Sequence, residues 1–149
     1  MPSQVNRHSL QKKVDELNKQ AWDTRMSDSP KSFDLSKESI ALARSLDYQQ
    51  GLAHGLKSFA FCLVRVAKNE EALPHLNEAL SLFELLDDLE GQAVVNGLLA
   101  IIQRNQGDAV ASLKLSYKAL ELSHRIGFRE HEGTELYFIG VTYRQLGNF

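Results

Sequence analysis

The chain contains a copy of itself displaced by about 40 residues. When the segment that begins at Ala60 is laid on the segment that begins at Ala100, the small and apolar positions coincide as far as Ala79 and Ala119. Further matches pair Gly51 with Gly91, Ala53 with Ala93, Leu73 with Leu113, and Leu86 with Ile126. Self-similarity at a period of this size predicts a solenoid, a fold built by stacking like units into an extended binding surface.

Each unit of the repeat has the pattern of two helices. Apolar residues recur at spacings of three and four from Leu52 to Val64 and again from Leu73 to Leu86, and the polar stretch 67–69 separates the two runs. The same alternation along the chain predicts an all-α fold of seven helices. They are expected at about 9–26, 30–46, 50–66, 70–87, 90–106, 109–126 and 130–146.

The spacing of small residues resembles the tetratricopeptide (TPR) family. An Ala in the first helix of a pair is followed by two small residues in the second helix, and the spacing of Ala60, Ala72 and Ala79 is repeated by Ala100, Ser112 and Ala119. The resemblance covers about residues 14–149 and implies a right-handed α-solenoid of antiparallel helix pairs. The expected single domain, 1–149, then contains units at about 9–49, 50–89 and 90–129 and a half unit at 130–149.

The period of the repeat is longer than the roughly 34 residues usual for TPR units. HEAT and armadillo repeats have this greater length, but they lack this spacing of small residues. The long units are similar to the TPR arrays attached to bacterial signalling enzymes such as nucleotide cyclases and histidine kinases. That resemblance implies that the chain is a fragment of a longer protein, because Phe149 stands where a partner for the seventh helix would begin.

Composition argues against several classes of function. The net charge of -2 gives no reason to expect direct binding of nucleic acid, and no apolar run reaches the roughly 20 residues that span a bilayer. The single cysteine, Cys62, fits a cytoplasmic protein. Catalytic and metal-binding motifs are absent from the sequence. We therefore expect no enzyme activity, metal or cofactor in this segment.

The TPR resemblance also implies a binding surface, because the first helix of each pair lines the concave side of such arrays. The residues expected there form an apolar column, a column made mainly of arginines and a third, mainly polar column. They are Trp22, Phe61, Ile101 and Val141; Arg25, Val64, Arg104 and Arg144, with Arg65 next to the valine; and Asn18, Lys57, Gly97 and Tyr137. Apolar anchors flanked by guanidinium groups favour a protein or peptide ligand. In the alternative interpretation, the apolar column packs neighbouring helices and the arginines are solvated.

The seventh helix carries apolar residues that have no following helix to cover them. They are Leu136, Phe138, Ile139 and Tyr143. Such a stripe predicts self-association, with a homodimer formed through the C-terminal helix. The sequence thus predicts a protein-interaction module, the regulatory or sensor segment of a bacterial signalling protein. The alternative function is a dimerisation device that controls an attached output domain.

Overall fold

The structure is a computed structural model that describes residues 3–147. Those residues form seven α-helices and contain no strand. The helices are α1 (Gln4–Thr24), α2 (Ser29–Ser45), α3 (Gln49–Arg65), α4 (Asn69–Leu85), α5 (Leu89–Asn105), α6 (Ala109–Arg125) and α7 (Arg129–Gln145). The all-α prediction is confirmed. No helix among residues 3–147 combines the length and the apolar character needed to cross a membrane.

The helices recur along the chain at a strict period. Each helix from α2 to α7 has 17 residues, and successive helices begin at 29, 49, 69, 89, 109 and 129. One repeat of the sequence is therefore a helix pair. Predicted starts agree with this period to within one residue from α2 onwards.

The start predicted for α1, residue 9, is too late in the chain. The helix begins at Gln4, and the hydroxyl of Ser3 caps it by accepting a hydrogen bond from the Asn6 backbone N–H at 3.3 Å. Residues 4–8 have few apolar side chains to give a periodic signal, and they lie before the first predicted repeat unit, so no other unit indicates that they are helical. The ends predicted for α1 and α4 also lie two positions beyond the observed ones.

Each helix from α2 to α7 is followed by a residue with positive φ, placed at the same point of every turn. These residues are Asp47, Ala67, Asp87, Gly107, Gly127 and Gly147, with φ between 49° and 87°. In the turn after α5, Asp108 N–H donates to Gln103 O and Gly107 N–H donates to Arg104 O. This is the Schellman pattern, which satisfies the last carbonyl groups of a helix and reverses the chain.

Small residues let paired helices approach closely. Ser32 of α2 donates its hydroxyl to the carbonyl of Ala21 in α1 at 2.6 Å, and Ser112 of α6 does the same to Ala100 in α5 at 2.8 Å. Ala100 and the predicted equivalent Ala60 are both buried. A larger side chain at these places would push the helix axes apart.

The chain divides between Leu82 and Phe83 into two compact units. In the first unit, α1, α2 and α3 pack on one another in every pairing, and Val14, Ala43 and Leu46 form a buried core. In the second unit, α5, α6 and α7 pack in the same three pairings. Consecutive helices thus pack on each other within each unit, as in a helical repeat.

Candidate functional site

Two aromatic residues of the predicted apolar column meet in the first unit. Trp22 lies near the end of α1 and Phe61 near the end of α3, and their ring centroids are 5.5 Å apart with the planes at 69°. This edge-to-face geometry is one that aromatic pairs prefer. Both side chains remain partly exposed. The pair therefore joins α1 to α3 and also presents aromatic surface to solvent.

Two cations lie over these rings. The guanidinium carbon of Arg25 is 3.9 Å from the centroid of the Trp22 ring and 5.4 Å from that of Phe61. The ammonium of Lys57 is 4.0 Å from the centroid of the Trp22 ring. Cation–π attraction holds positive charge at the face of an indole most strongly among the aromatic side chains. Arg25 is fixed further because its Nη1 donates to the carbonyl of Trp22 at 2.7 Å.

Lys57 is only 8% exposed, although it carries a charge. Burial of an ammonium group is unfavourable unless other groups compensate it, and the indole face supplies part of that compensation. Arg65, at the end of α3, is exposed, and its Nη1 donates to the carbonyl of Arg25 at 3.3 Å. We call Trp22, Arg25, Lys57, Phe61 and Arg65 the Trp22 cluster. It combines aromatic surface with three positive charges.

Asn18, a further predicted ligand-binding residue, faces the interior of the first unit. Its amide nitrogen donates to the carbonyl of Gly51 at 2.9 Å, and its amide oxygen accepts from the hydroxyl of Ser39. The side chain is buried and ties α1 to α2 and α3. Because its polar atoms are committed to this packing, Asn18 does not belong to the candidate site.

The remaining predicted partner-binding residues lie in the second unit. They are Ile101 and Arg104 on α5 and Tyr137, Val141 and Arg144 on α7. Tyr137 is 67% exposed, whereas Arg104 is half-buried with its guanidinium carbon 4.8 Å from the centroid of the Phe138 ring. Burial lowers the pKa of Arg104 from its usual value. Arg104 thus covers an aromatic ring of its own unit.

The stripe predicted for self-association is split between core and surface. Ile139 is buried, Phe138 and Tyr143 are half-buried, and Leu136 is exposed. The hydroxyl groups of Tyr143 and Tyr117 lie 3.3 Å apart, linking α7 to α6. Self-association through this helix stays a prediction.

A buried carboxyl group in the second unit was not predicted from the sequence. Glu135 of α7 is 2% exposed, and burial raises its pKa to about 7 against the opposing effects of a hydrogen bond from Ser116 and the charge of Arg104. Its Oε1 lies 3.5 Å from His131 Nε2, and Oε2 has no hydrogen-bond partner. A Cβ atom added at Gly97 would clash with Oε1. Glycine at that position therefore makes room for the carboxyl group.

The hydrogen bonds around His131 define the state of this pair. The Ser123 hydroxyl donates to Ala119 O at 2.8 Å, so it accepts from His131 Nδ1–H, also at 2.8 Å. The opposite ring nitrogen, Nε2, then accepts, and a protonated Glu135 is the matching donor. Burial lowers the pKa of His131, which also favours the neutral ring.

The sequence holds one signal for this buried pair. In the register of the repeat, Glu135 falls where the earlier units have Val95 and Gly55, and His131 falls where they have Gly91. A carboxyl group in place of apolar or small residues marks an inward-facing polar side chain. His131 and Glu135 are four positions apart, which places both on one side of α7.

The residues that the structure describes bring together no group of three His, Cys, Asp or Glu side chains that could hold a metal ion. The lone thiol, Cys62, is buried, with Sγ 3.5 Å from the hydroxyl of Ser32. The Trp22 cluster, which combines exposed aromatic surface with positive charge, is the candidate functional site. Compared with protein-family models and with curated proteins, the chain matches none.

Proposed function

We propose that this protein is an interaction module that binds an acidic peptide segment at the Trp22 cluster. The observation that carries the proposal is the placement of Arg25 and Lys57 over the partly exposed Trp22 ring, with exposed Arg65 beside them. Aromatic and arginine side chains are the residue types most enriched among the dominant contacts of protein interfaces. Rings held by packing also lose little conformational entropy when a partner binds.

A ligand for this surface needs two kinds of group. A carboxylate can accept paired hydrogen bonds from the exposed guanidinium of Arg65, a planar donor well suited to that geometry. An apolar side chain next to the carboxylate can cover the exposed parts of Trp22 and Phe61. Positive charge at the cluster also speeds the approach of acidic partners, an effect that salt screens.

The family and the cellular role are parts of the same proposal. The regular helix period and the buried small residues Ala60, Ala72 and Ala100 support a TPR-like repeat. Attachment to a bacterial signalling enzyme rests on the sequence resemblance alone. Within that role, capture of an acidic segment of a partner protein would be the input.

Peptide arrays test the proposed ligand class. Short peptides that combine Asp or Glu with Leu or Phe should retain the labelled protein, and copies with Asn and Gln in place of the acids should not. Arg65→Gln, which changes an exposed side chain, should weaken retention several-fold, and Arg25→Gln with Arg65→Gln should weaken it about tenfold. Circular dichroism establishes that the variants are folded.

The matched control removes the same charge elsewhere. Arg125→Gln with Arg129→Gln neutralises two exposed arginines outside the cluster and should leave peptide retention unchanged. Equal losses in the control and in the cluster variant would mean that general charge, not the cluster, retains the peptides. Equal retention of the protein by the acidic peptides and by their Asn and Gln copies would contradict the proposed ligand class.

A further inference from the structure

A groove between α6 and α7 leaves apolar side chains open to solvent. It is lined by Val110, Leu113, Lys114, Tyr117, Lys118, Glu121 and Tyr143, and we call it the α6/α7 groove. Val110 is 62% exposed and Tyr117 is 47% exposed. The six lining residues of α6 are spaced by three and one along the helix, so they form one continuous stripe. A continuous stripe of side chains that lies beside a second helix forms a groove in which a third helix can pack.

The corresponding place in the first unit holds a helix. A shift by two repeats carries Leu113 to Phe33 on α2 and Tyr143 to Leu63 on α3. Phe33 stacks on Phe59 at 4.7 Å between ring centroids, and His75 of α4 meets Phe59 edge-on at 4.9 Å. Helix α4 therefore contacts α3 at this place, and its Glu78 also reaches Arg44 of α2.

An ion pair also links α4 to α2. The two guanidinium nitrogens Nη1 and Nη2 of Arg44 donate to the two carboxylate oxygens of Glu78, each at 2.8 Å. Leu63, which corresponds to the half-buried Tyr143, is buried here. In the first unit, helix α4 thus occupies this place, and the carboxylate of its Glu78 pairs with Arg44 of α2.

The charge on the α6/α7 groove selects the kind of helix that it would receive. Lys114 and Lys118 stand where the first unit has Asp34 and Glu38, so the sign of the charge is reversed. Glu121 offsets one of the two lysines, and the groove keeps a net positive charge. In a symmetric dimer through the groove, the lysines of both copies would be brought together, which disfavours a second copy as the occupant.

We propose that the α6/α7 groove binds an amphipathic helix of another protein that carries small residues on its apolar side and carboxylates beside them. The seated helix α4 has this composition, with Ala72 and Ala79 buried against its neighbours and Glu78 in the ion pair. The occupant would pack its small residues on Val110 and Tyr117 and direct its carboxylates to Lys114 and Lys118. This is the helix-in-groove mode of recognition.

A peptide copied from α4 serves as the probe. It has the sequence of Asn69–Leu85 with Pro74→Ala, because proline in a helix interior disfavours an isolated helix, and it carries four glutamates. Fluorescence anisotropy should show saturable binding of the labelled peptide to the full chain. Lys114→Glu with Lys118→Glu should weaken binding about tenfold or more, and Tyr117→Ser should weaken it several-fold.

A charge swap makes the test specific for the groove. A peptide with lysine in place of its four glutamates should fail to bind the original protein and should bind the Lys114→Glu/Lys118→Glu variant. Lys12→Glu with Lys68→Glu, two exposed lysines outside the groove, is the matched control and should leave binding unchanged. Rescue by the reversed pair cannot arise from unfolding of the variant.

Four outcomes would overturn this inference. Absence of saturable binding, or binding that survives reversal of both groove lysines, would rule out the groove as the receptor. Loss of binding with Arg65→Gln instead would place the peptide at the Trp22 cluster. Sedimentation of the protein alone that shows a dimer, dissociated by Tyr117→Ser, would assign the groove to a second copy.

Discussion

At the scale of single residues, the protein places positive charge over aromatic rings and buries the carboxyl group of Glu135. Lys57 and Arg25 are held at the Trp22 ring, where attraction to the indole offsets part of their desolvation. At least one carboxyl oxygen of Glu135 lacks such compensation, because Oε2 is buried without a hydrogen-bond partner. Proton binding resolves this problem, since a neutral carboxyl group is much less costly to bury.

The raised pKa of Glu135 predicts that stability falls as the pH rises. The carboxyl group has a pKa of about 7 in the folded protein and about 4.5 as its ordinary value, so the folded state binds more protons between these values. Its contribution to stability is complete below the unfolded pKa and is lost as the pH rises through the folded one. Urea titrations should show that the contribution of Glu135 to the free energy of unfolding falls by about 1 kcal/mol between pH 6.5 and 8.5.

Glu135→Gln should remove most of that dependence, whereas Glu121→Gln, which changes an exposed carboxylate, should not. The other charged groups near Glu135 act differently in this window. Burial lowers the pKa of His131, so that ring is neutral in the folded protein, and its protonation in the unfolded chain near pH 6.5 acts in the opposite direction to Glu135; Arg104 keeps its charge throughout. A slope that is unchanged in Glu135→Gln would show that this carboxyl group does not bind the proton.

At the scale of the helix, the left-handed residue after each of α2 to α7 sets where the helix stops. Glycine occupies this place after α5, α6 and α7, but Ala67 occupies it after α3 with φ at 59°. The sequence predicts the break at 67–69 but does not identify Ala67 as the left-handed residue. An L-residue with a Cβ atom is disfavoured in this conformation by roughly 1–2 kcal/mol.

Exchanging alanine and glycine at equivalent turns should therefore have opposite effects. Ala67→Gly should raise the free energy of unfolding by about 0.5–1 kcal/mol, after the greater flexibility of glycine in the unfolded chain is counted. Gly107→Ala should lower it by a similar amount, and nothing lies near enough to its added Cβ to cause a clash. Chemical denaturation measures both changes. Shifts of the same sign would contradict a role for the left-handed conformation.

At the scale of the whole molecule, most of the helix positions could be predicted from the period of the sequence. Because each unit repeats its apolar spacing, α2 to α7 could be predicted to within one residue at their starts. The start of α1 could not, since residues 4–8 have no equivalent in another unit and their cap, Ser3, is a common surface residue. Periodicity also cannot locate the division between Leu82 and Phe83, which interrupts no helical pattern.

The candidate site was predicted in part. Alignment of the units picked out Trp22, Phe61 and the neighbouring cations, because Trp22 and Phe61 lie 39 residues apart and Arg25 and Arg65 lie 40 apart, at or close to the period of the repeat. It could not tell that Asn18 points into the core, since a polar residue on a helix gives the same pattern whether its amide faces solvent or a buried carbonyl. Glu135 was missed although the repeat register does mark it, since it falls where the earlier units have Val95 and Gly55.

The central claim is that an acidic segment binds at the Trp22 cluster, and Trp22 fluorescence tests it most directly. Trp22 is the single tryptophan of the chain, so its emission reports on this surface alone. Titration with an acidic peptide retained on the array should shift or quench the emission to saturation, with an affinity that falls as salt is added. The Arg65→Gln variant should show weaker binding and a smaller dependence on salt. Binding that is detected by anisotropy, leaves Trp22 emission unchanged and does not respond to salt would contradict the account.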